Sequence, residues 1–244
     1  MAEVNRDLAT LVKFADNPEP RCPVVLLFDT SSSMQGQSIQ ELNKGLKTFE
    51  RAIKTHQKAA LRVEVALIAF GSPVRAVDVQ GGGSTIPFDV EQVFVTADSF
   101  VAPTLEAEGN TPLGEGMRRA LKLLRECKDM YNQNGVAYFR PWIFLISDGE
   151  PNDDGWEEAA ADAKAEEDRK GVSVFAIGVD KADMGILACF SNRTPRKLKD
   201  LAFEELFLWL STSLGGVSGS EPGDDQNPMP PTDDWATVDT SPEP

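Results

Sequence analysis

Two runs of this chain are short, wholly apolar and end in an aspartate. Val24-Val25-Leu26-Leu27-Phe28 leads directly into Asp29, and Trp142-Ile143-Phe144-Leu145-Ile146 leads into Ser147-Asp148. An apolar run with no alternation suits a strand buried on both faces, the situation of central strands in parallel sheets covered by helices. Both carboxylates then fall at the carboxyl ends of central strands, where open α/β sheets hold their ligands.

The segments between these runs read as helices and further strands. Ile39, Leu42, Leu46, Phe49 and Ile53 form one stripe and predict a helix over about Ser38–Lys54. Leu61–Phe70 reads as a second strand, ended by Gly71-Ser72-Pro73, and Val74–Val79 as a short strand able to pair with it. In 80–110 only Val93–Val95 suggests a strand. A helix follows Thr111-Pro112, with Leu113, Met117, Ala120, Leu121 and Leu124 on its buried face. Trp156, Ala159, Ala160 and Ala163 mark the next helix, which Gly171 stops, and Val172–Ile177 is a further strand. Phe203, Leu206, Phe207 and Leu210 define a closing helix. Strands alternating with helices imply an α/β fold, an open parallel sheet with helices on both faces.

Three segments divide the 244 residues: a leader (1–20) with a weak stripe of Leu8, Leu11 and Val12, a folded domain (21–214) and a tail (215–244). The tail carries Glu221, Asp224, Asp225, Asp233, Asp234, Asp239 and Glu243, no Lys or Arg, and many prolines. That composition predicts disorder, because it offers little apolar surface to bury. Trp235 stands out within it, as a tolerated aromatic or as an anchor for a partner.

Charge and cysteine usage narrow the function. The net charge is -15, and the densest basic stretch is the short Arg193–Lys199, which argues against a nucleic-acid partner. The amino-terminal residues carry acids without a continuous apolar core, and no run approaches the ~20 apolar residues of a membrane span, so the expectation is a cytoplasmic protein with no membrane partner. Cys22, Cys127 and Cys189 are odd in number and widely spaced, consistent with reduced thiols. His56 is the only histidine, which disfavours zinc.

The two strand ends carry the chemistry. Asp29-Thr30-Ser31-Ser32-Ser33 places one carboxylate and two hydroxyls at alternate positions, Thr111 opens a helix, and Asp148 follows the second apolar run. Taken singly, Asp29 and the serines read equally as a helix cap, while Thr111 reads better as a helix cap and Asp148-Gly149 as a turn. Together they supply two carboxylates and three hydroxyls, hard oxygens that select magnesium, with manganese or calcium as alternatives.

Asp29-x-Ser31-x-Ser33, then Thr111, then Asp148 resembles the metal-ion-dependent adhesion site of von Willebrand factor A domains, over about Arg21–Ser213. Pro23–Asp29, Gly109–Gly114, Ser147–Pro151 and Phe207-x-Trp209-Leu210-Ser211 are most similar to the bacterial tellurite-resistance-associated, TerY-like group. Ser32 stands where glycine is common. The resemblance implies a three-layer, doubly wound, mostly parallel sheet with one short antiparallel edge strand, here Val74–Val79. It implies that Ser31 and Ser33 bind the metal directly, that Thr111 and Asp148 alternate between direct and water-mediated contact, and that Asp29 acts through water. A partner protein's Asp or Glu would complete the octahedron, with Met34, Gln35, Glu150, Asn152 and Asp153 ringing the site. The group's association with a protein kinase and a metal-dependent protein phosphatase suggests an adaptor in a stress-response or signalling system.

Catalysis is disfavoured. A dehalogenase-type phosphatase needs a second aspartate where Ser31 stands, and neither Gly-x-Ser-x-Gly nor a phosphate-binding loop is present. The alternatives to an adaptor are a scaffold subunit with the metal as a staple, and a magnesium-dependent hydrolase.

Overall fold

The computed structural model describes residues 14–223 and 229–237. Its centre is β1 (Cys22–Asp29), flanked in parallel by β2 (Val63–Phe70) and β6 (Trp142–Ser147), and every residue of these three strands is buried. With β3 (Arg75–Val77), β4 (Thr85–Ile86), β7 (Ser173–Gly178), β8 (Arg196–Leu198) and β9 (Ala236–Thr237), the sheet order is β4-β3-β2-β1-β6-β7-β8-β9; β5 (Val95–Thr96) pairs beside the start of β2. The chain steps from β1 to β2 on one side and later returns to place β6 on the other. The winding direction therefore reverses between β1 and β6, at a switch point where the loops part and leave a crevice.

Alternation along the buried strands feeds two core layers. Val24, Leu26, Phe28, Val65, Leu67, Phe144 and Ile146 face α1 (Gln37–Thr55) and α7 (Phe203–Gly219), meeting Leu42, Leu46, Phe49, Leu206, Phe207 and Leu210. Val25, Leu27, Ile68, Ile143 and Leu145 face α4 (Leu113–Gln133) and α5 (Trp156–Asp168), meeting Met117, Ala120, Leu124, Ala159 and Ala163. The result is the three-layer, doubly wound α/β architecture; the antiparallel strand expected at Val74–Val79 is β3, and β4 lies beyond it at the edge. Shorter helices are α2 (Gln57–Arg62), α3 (Val90–Val93) and α6 (Met184–Cys189).

Several elements differ from the sequence reading. Leu61 is the exposed end of α2 rather than the start of β2. Val93 ends a helical turn that Asp89 caps by accepting from the Glu91 amide, so the strand starts at Val95. The described part of the tail is the main correction: α7 continues through Gly215 and Gly216 to Gly219, and β9 pairs antiparallel with β8. Trp235 is 2% exposed. The composition argument failed there because one large aromatic found an apolar slot beside a sheet edge with unpaired main-chain groups. Leu8, Leu11, Val12, Asp224, Asp225, Asp239 and Glu243 lie outside the described residues.

The amino-terminal segment is tied to the far end of the sheet. The Arg21 guanidinium donates to the Glu19 and Asn17 carbonyls at 2.6 Å, lies 3.3 Å from the Glu64 carboxylate and sits over the Phe14 ring. Tyr131 donates its hydroxyl to Glu64. Both charges of the Arg21–Glu64 pair are fully buried, so removing either would strand the other without solvent.

The contact between α1 and α7 depends on Gly45. A Cβ there would lie 2.5 Å from the Phe207 ring and 3.0 Å from the Phe203 carbonyl. Gly45→Ala is expected to destabilise the fold by about 1–3 kcal/mol despite alanine's better helix propensity, because the helices must separate. Urea unfolding checks this, and an unchanged midpoint would show that the interface yields freely.

Candidate metal centre

Asp29 is the last residue of β1 and Asp148 the first after β6, so neighbouring parallel strands deliver both carboxylates to the switch point. Asp29 is fully buried. Its Oδ1 accepts the Ser31 amide at 2.9 Å and its Oδ2 accepts the Ser147 hydroxyl at 2.6 Å. The turn after Asp29 faces the next hydroxyls toward one another: Ser31 Oγ is 2.8 Å from Ser33 Oγ, and Ser33 Oγ donates to Asp148 Oδ1 at 2.7 Å. Thr111 joins from the start of α4. A Cβ built on Gly149 would lie 3.7 Å from both Ser33 Oγ and Thr111 Oγ1, which puts those hydroxyls around one point. All five residues named from the sequence thus meet in one crevice.

The capping alternative does not describe their geometry. Neither the turn at Ser32–Met34 nor α1 has a side-chain cap, and α1 opens at Gly36 with φ +86°. The start of α4 is held instead by Asp153, which accepts the Gly114 amide at 3.1 Å and the Glu115 amide at 2.7 Å. Asn152 accepts the Thr111 amide at 3.0 Å and donates its own amide to the Thr111 carbonyl at 3.1 Å. Asn152 and Asp153, read from the sequence as residues ringing the site, therefore position Thr111. Sequence reasoning missed Ser147, although its place immediately before Asp148 on an adjacent strand put it within reach of Asp29.

The site is electrostatically incomplete. Burial pushes the Asp29 carboxyl up to about 6, against hydrogen bonds from Ser147 and Ser31, and the charge of Asp148 adds to the rise. The Asp148 carboxyl is also raised, chiefly by burial, against the Ser33 hydrogen bond and with the charge of Asp180 contributing. Among the described residues no Lys, Arg or His forms an ion pair with either. No group of three or more His, Cys, Asp or Glu among them could hold a metal. The donors here are two carboxylates and three hydroxyls, an all-oxygen set that fits a hard divalent cation and supplies two negative charges to balance it.

The sequence of residues 24–206 matches the von Willebrand factor type A domain model, well over half of the chain. The chain belongs to this family. No curated protein sequence matches it. Among solved structures it is similar to a von Willebrand factor type A protein from Catenulispora acidiphila, at 16% identity and a TM-score of 0.56, covering 81% of this chain and 43% of that one. It is similar to the pilus adhesin SpaC of Lactobacillus rhamnosus GG in its open conformation (16%, TM-score 0.58, covering 81% and 30%). Proximal thread matrix protein 1 of the mussel byssus is another such structure (16%, TM-score 0.54, covering 82% and 47%). The chain spans less than half the length of each, and at these identities the likeness shows the fold. Among the described residues no helix is long and apolar enough to cross a membrane.

Raised carboxyl values give the site a pH signature. Asp29 holds its proton more tightly folded than unfolded, so its contribution to metal-free stability is fully present below about 4 and is lost as pH rises through about 6. Asp29→Asn cannot titrate. In EDTA, the stability of the variant relative to wild type should rise between pH 4 and pH 7 by on the order of 2 kcal/mol. Paired urea titrations across this range test it; a pH-independent difference would mean that Asp29 is not the strained group.

Proposed function

We propose that this chain is a metal-ion-dependent protein-interaction module in which Asp29, Ser31, Ser33, Thr111 and Asp148 hold magnesium, with manganese or calcium as substitutes. The observation that carries this reading is the connected set of hydroxyls between two charge-deficient carboxylates at the switch point. The cation supplies the positive charge that buried carboxylates lack, and it prefers octahedral oxygen ligands. Ser147 holds the Asp29 carboxylate, which in turn accepts the Ser31 amide, and Asn152 and Asp153 hold Thr111 and the start of α4 in place. Three neutral hydroxyls leave the metal electron-poor, so a Glu or Asp of a partner protein completes the coordination.

Interaction rather than catalysis is the reading we favour, because none of the residues that meet at the switch point is a histidine, and the sequence carries neither Gly-x-Ser-x-Gly nor a phosphate-binding loop. The motifs shared with the TerY-like group extend it to a cytoplasmic adaptor in a bacterial stress-response or signalling system such as tellurite resistance, with a protein kinase or metal-dependent phosphatase as candidate partner. The adhesin and matrix proteins that share the fold are named for interaction roles.

Magnesium at about 100 times its Kd should raise the wild-type melting temperature by roughly 5–10 °C and leave Asp29→Ala unmoved. A pull-down with wild type and Asp29→Ala, each in magnesium or EDTA, should retain a partner only with wild type and magnesium. Identical partners in all four arms would make the metal a structural staple. An unmoved wild-type melting temperature would dismiss the site itself.

A further inference from the structure

The edge strand β8 lies in the chain's densest basic run, with Arg193, Arg196, Lys197 and Lys199, in a molecule whose net charge is -15. An uncovered edge presents a row of unpaired main-chain groups that invites another strand. Residues 229–237 occupy it. Thr237 lies opposite Lys197, and Ala236 opposite Leu198, in antiparallel register. The Lys199 amide donates to the Trp235 carbonyl at 2.9 Å, and its ammonium donates to the Asp233 carbonyl. Trp209 Nε1 donates to the Pro230 carbonyl at 2.9 Å, and the Trp209 and Trp235 rings stand 5.3 Å apart. The Trp235 and Ala236 amides close a turn on the Thr232 carbonyl, and Ala236–Thr237 then pairs with the edge; main-chain bonds to a strand edge and one anchoring side chain in an apolar slot are the means by which a peptide segment binds a sheet edge.

Three features mark the segment as separable. β9 is two residues long. The Trp235 indole N–H is buried without a hydrogen-bond partner among the described residues, and a cavity of about 330 Å³ lies beside it, bordered by Phe175, Arg193, Arg196, Trp209 and Pro230. Nine residues, 220–228, separate the end of α7 from Met229, a length of about 30 Å when extended, so release need not disturb the helix.

We infer that the β8 edge and the Trp209 face form a docking surface for a short acidic segment bearing an indole. Residues 229–237 are its occupant in cis, and a partner segment of the same chemistry displaces them. The sequence on either side supports that chemistry: Asp233 and Asp234, both exposed, precede the anchoring Trp235, and the edge strand carries Arg196 and Lys197, with the Lys199 ammonium on the Asp233 main-chain carbonyl. Tethering gives the resident segment a high effective concentration, so an incoming segment binds weakly until the clip is loosened. This inference stands apart from the metal reading.

The test uses the full chain and a fluorescent synthetic peptide of residues 228–240. The Trp235→Ser chain should bind the peptide about tenfold or more tighter than wild type. A peptide carrying Ala in place of Trp235 should not bind, and Lys199→Glu in the Trp235→Ser background should weaken binding. Circular dichroism confirms that the variants fold. Absence of binding to folded Trp235→Ser, or equal binding of the Trp-free peptide, overturns the proposal. Should Trp235→Ser fail to fold, hydrogen exchange of wild type decides: the Lys199 amide should exchange well ahead of the β7 amides, and exchange in step with them overturns it.

Discussion

The structure turns on a buried carboxylate with no cationic side chain beside it. Asp29 closes the central strand with none of its surface exposed, and what it has in place of a counter-ion is hydrogen bonding from the Ser31 amide and the Ser147 hydroxyl. A second carboxylate, Asp148, stands beyond the neighbouring strand, joined to Asp29's loop through Ser33. Two like charges at a sheet's rim are tolerable when hydroxyls and amides share the load, and are better accommodated by a divalent cation. Strand order, helix placement and loop bonding all serve this meeting: β1 and β6 must be neighbours, and Asp153 must hold α4 so that Thr111 faces the crevice.

The rest of the molecule insulates that crevice from the sheet's liabilities. At the opposite end, the buried Arg21–Glu64 pair, with the Tyr131 hydroxyl on Glu64, ties the amino-terminal segment to β2 and α4. At the edges, antiparallel strands cover exposed main-chain groups: β3 and β4 beyond β2, and β9 beyond β8. The second edge, in the chain's densest basic run, is covered by residues 229–237 of the acidic tail. A segment that composition marks as unable to fold alone is ordered by a strand edge and a tryptophan slot.

The central architecture was legible because the signals were redundant. Five-residue apolar runs with no alternation admit few homes other than a doubly covered strand, and the stripe from Ile39 to Ile53 admits few other than one face of a helix. The edges were less legible. Val93 and Val95 are equally apolar, and what assigns them to a helical turn and a strand is the Asp89 cap and pairing with β2, neither visible in local pattern. Trp235 was unreadable for the same reason, since the slot that receives it is built by Trp209, 26 residues earlier, and by the edge of a strand.

By itself the sequence determined that the chain folds as a mostly parallel α/β domain and that five oxygen-bearing residues sit at strand ends and a helix start. Periodicity and burial are local properties, readable along the chain. Only the tertiary structure decided whether those oxygens cap helices or face each other. That choice depends on which strands are neighbours and on Asp153, rather than Thr111, taking the helix amides. The tertiary structure likewise decided the place of residues 229–237, because the affinity of such a segment resides in the edge it meets rather than in its own composition.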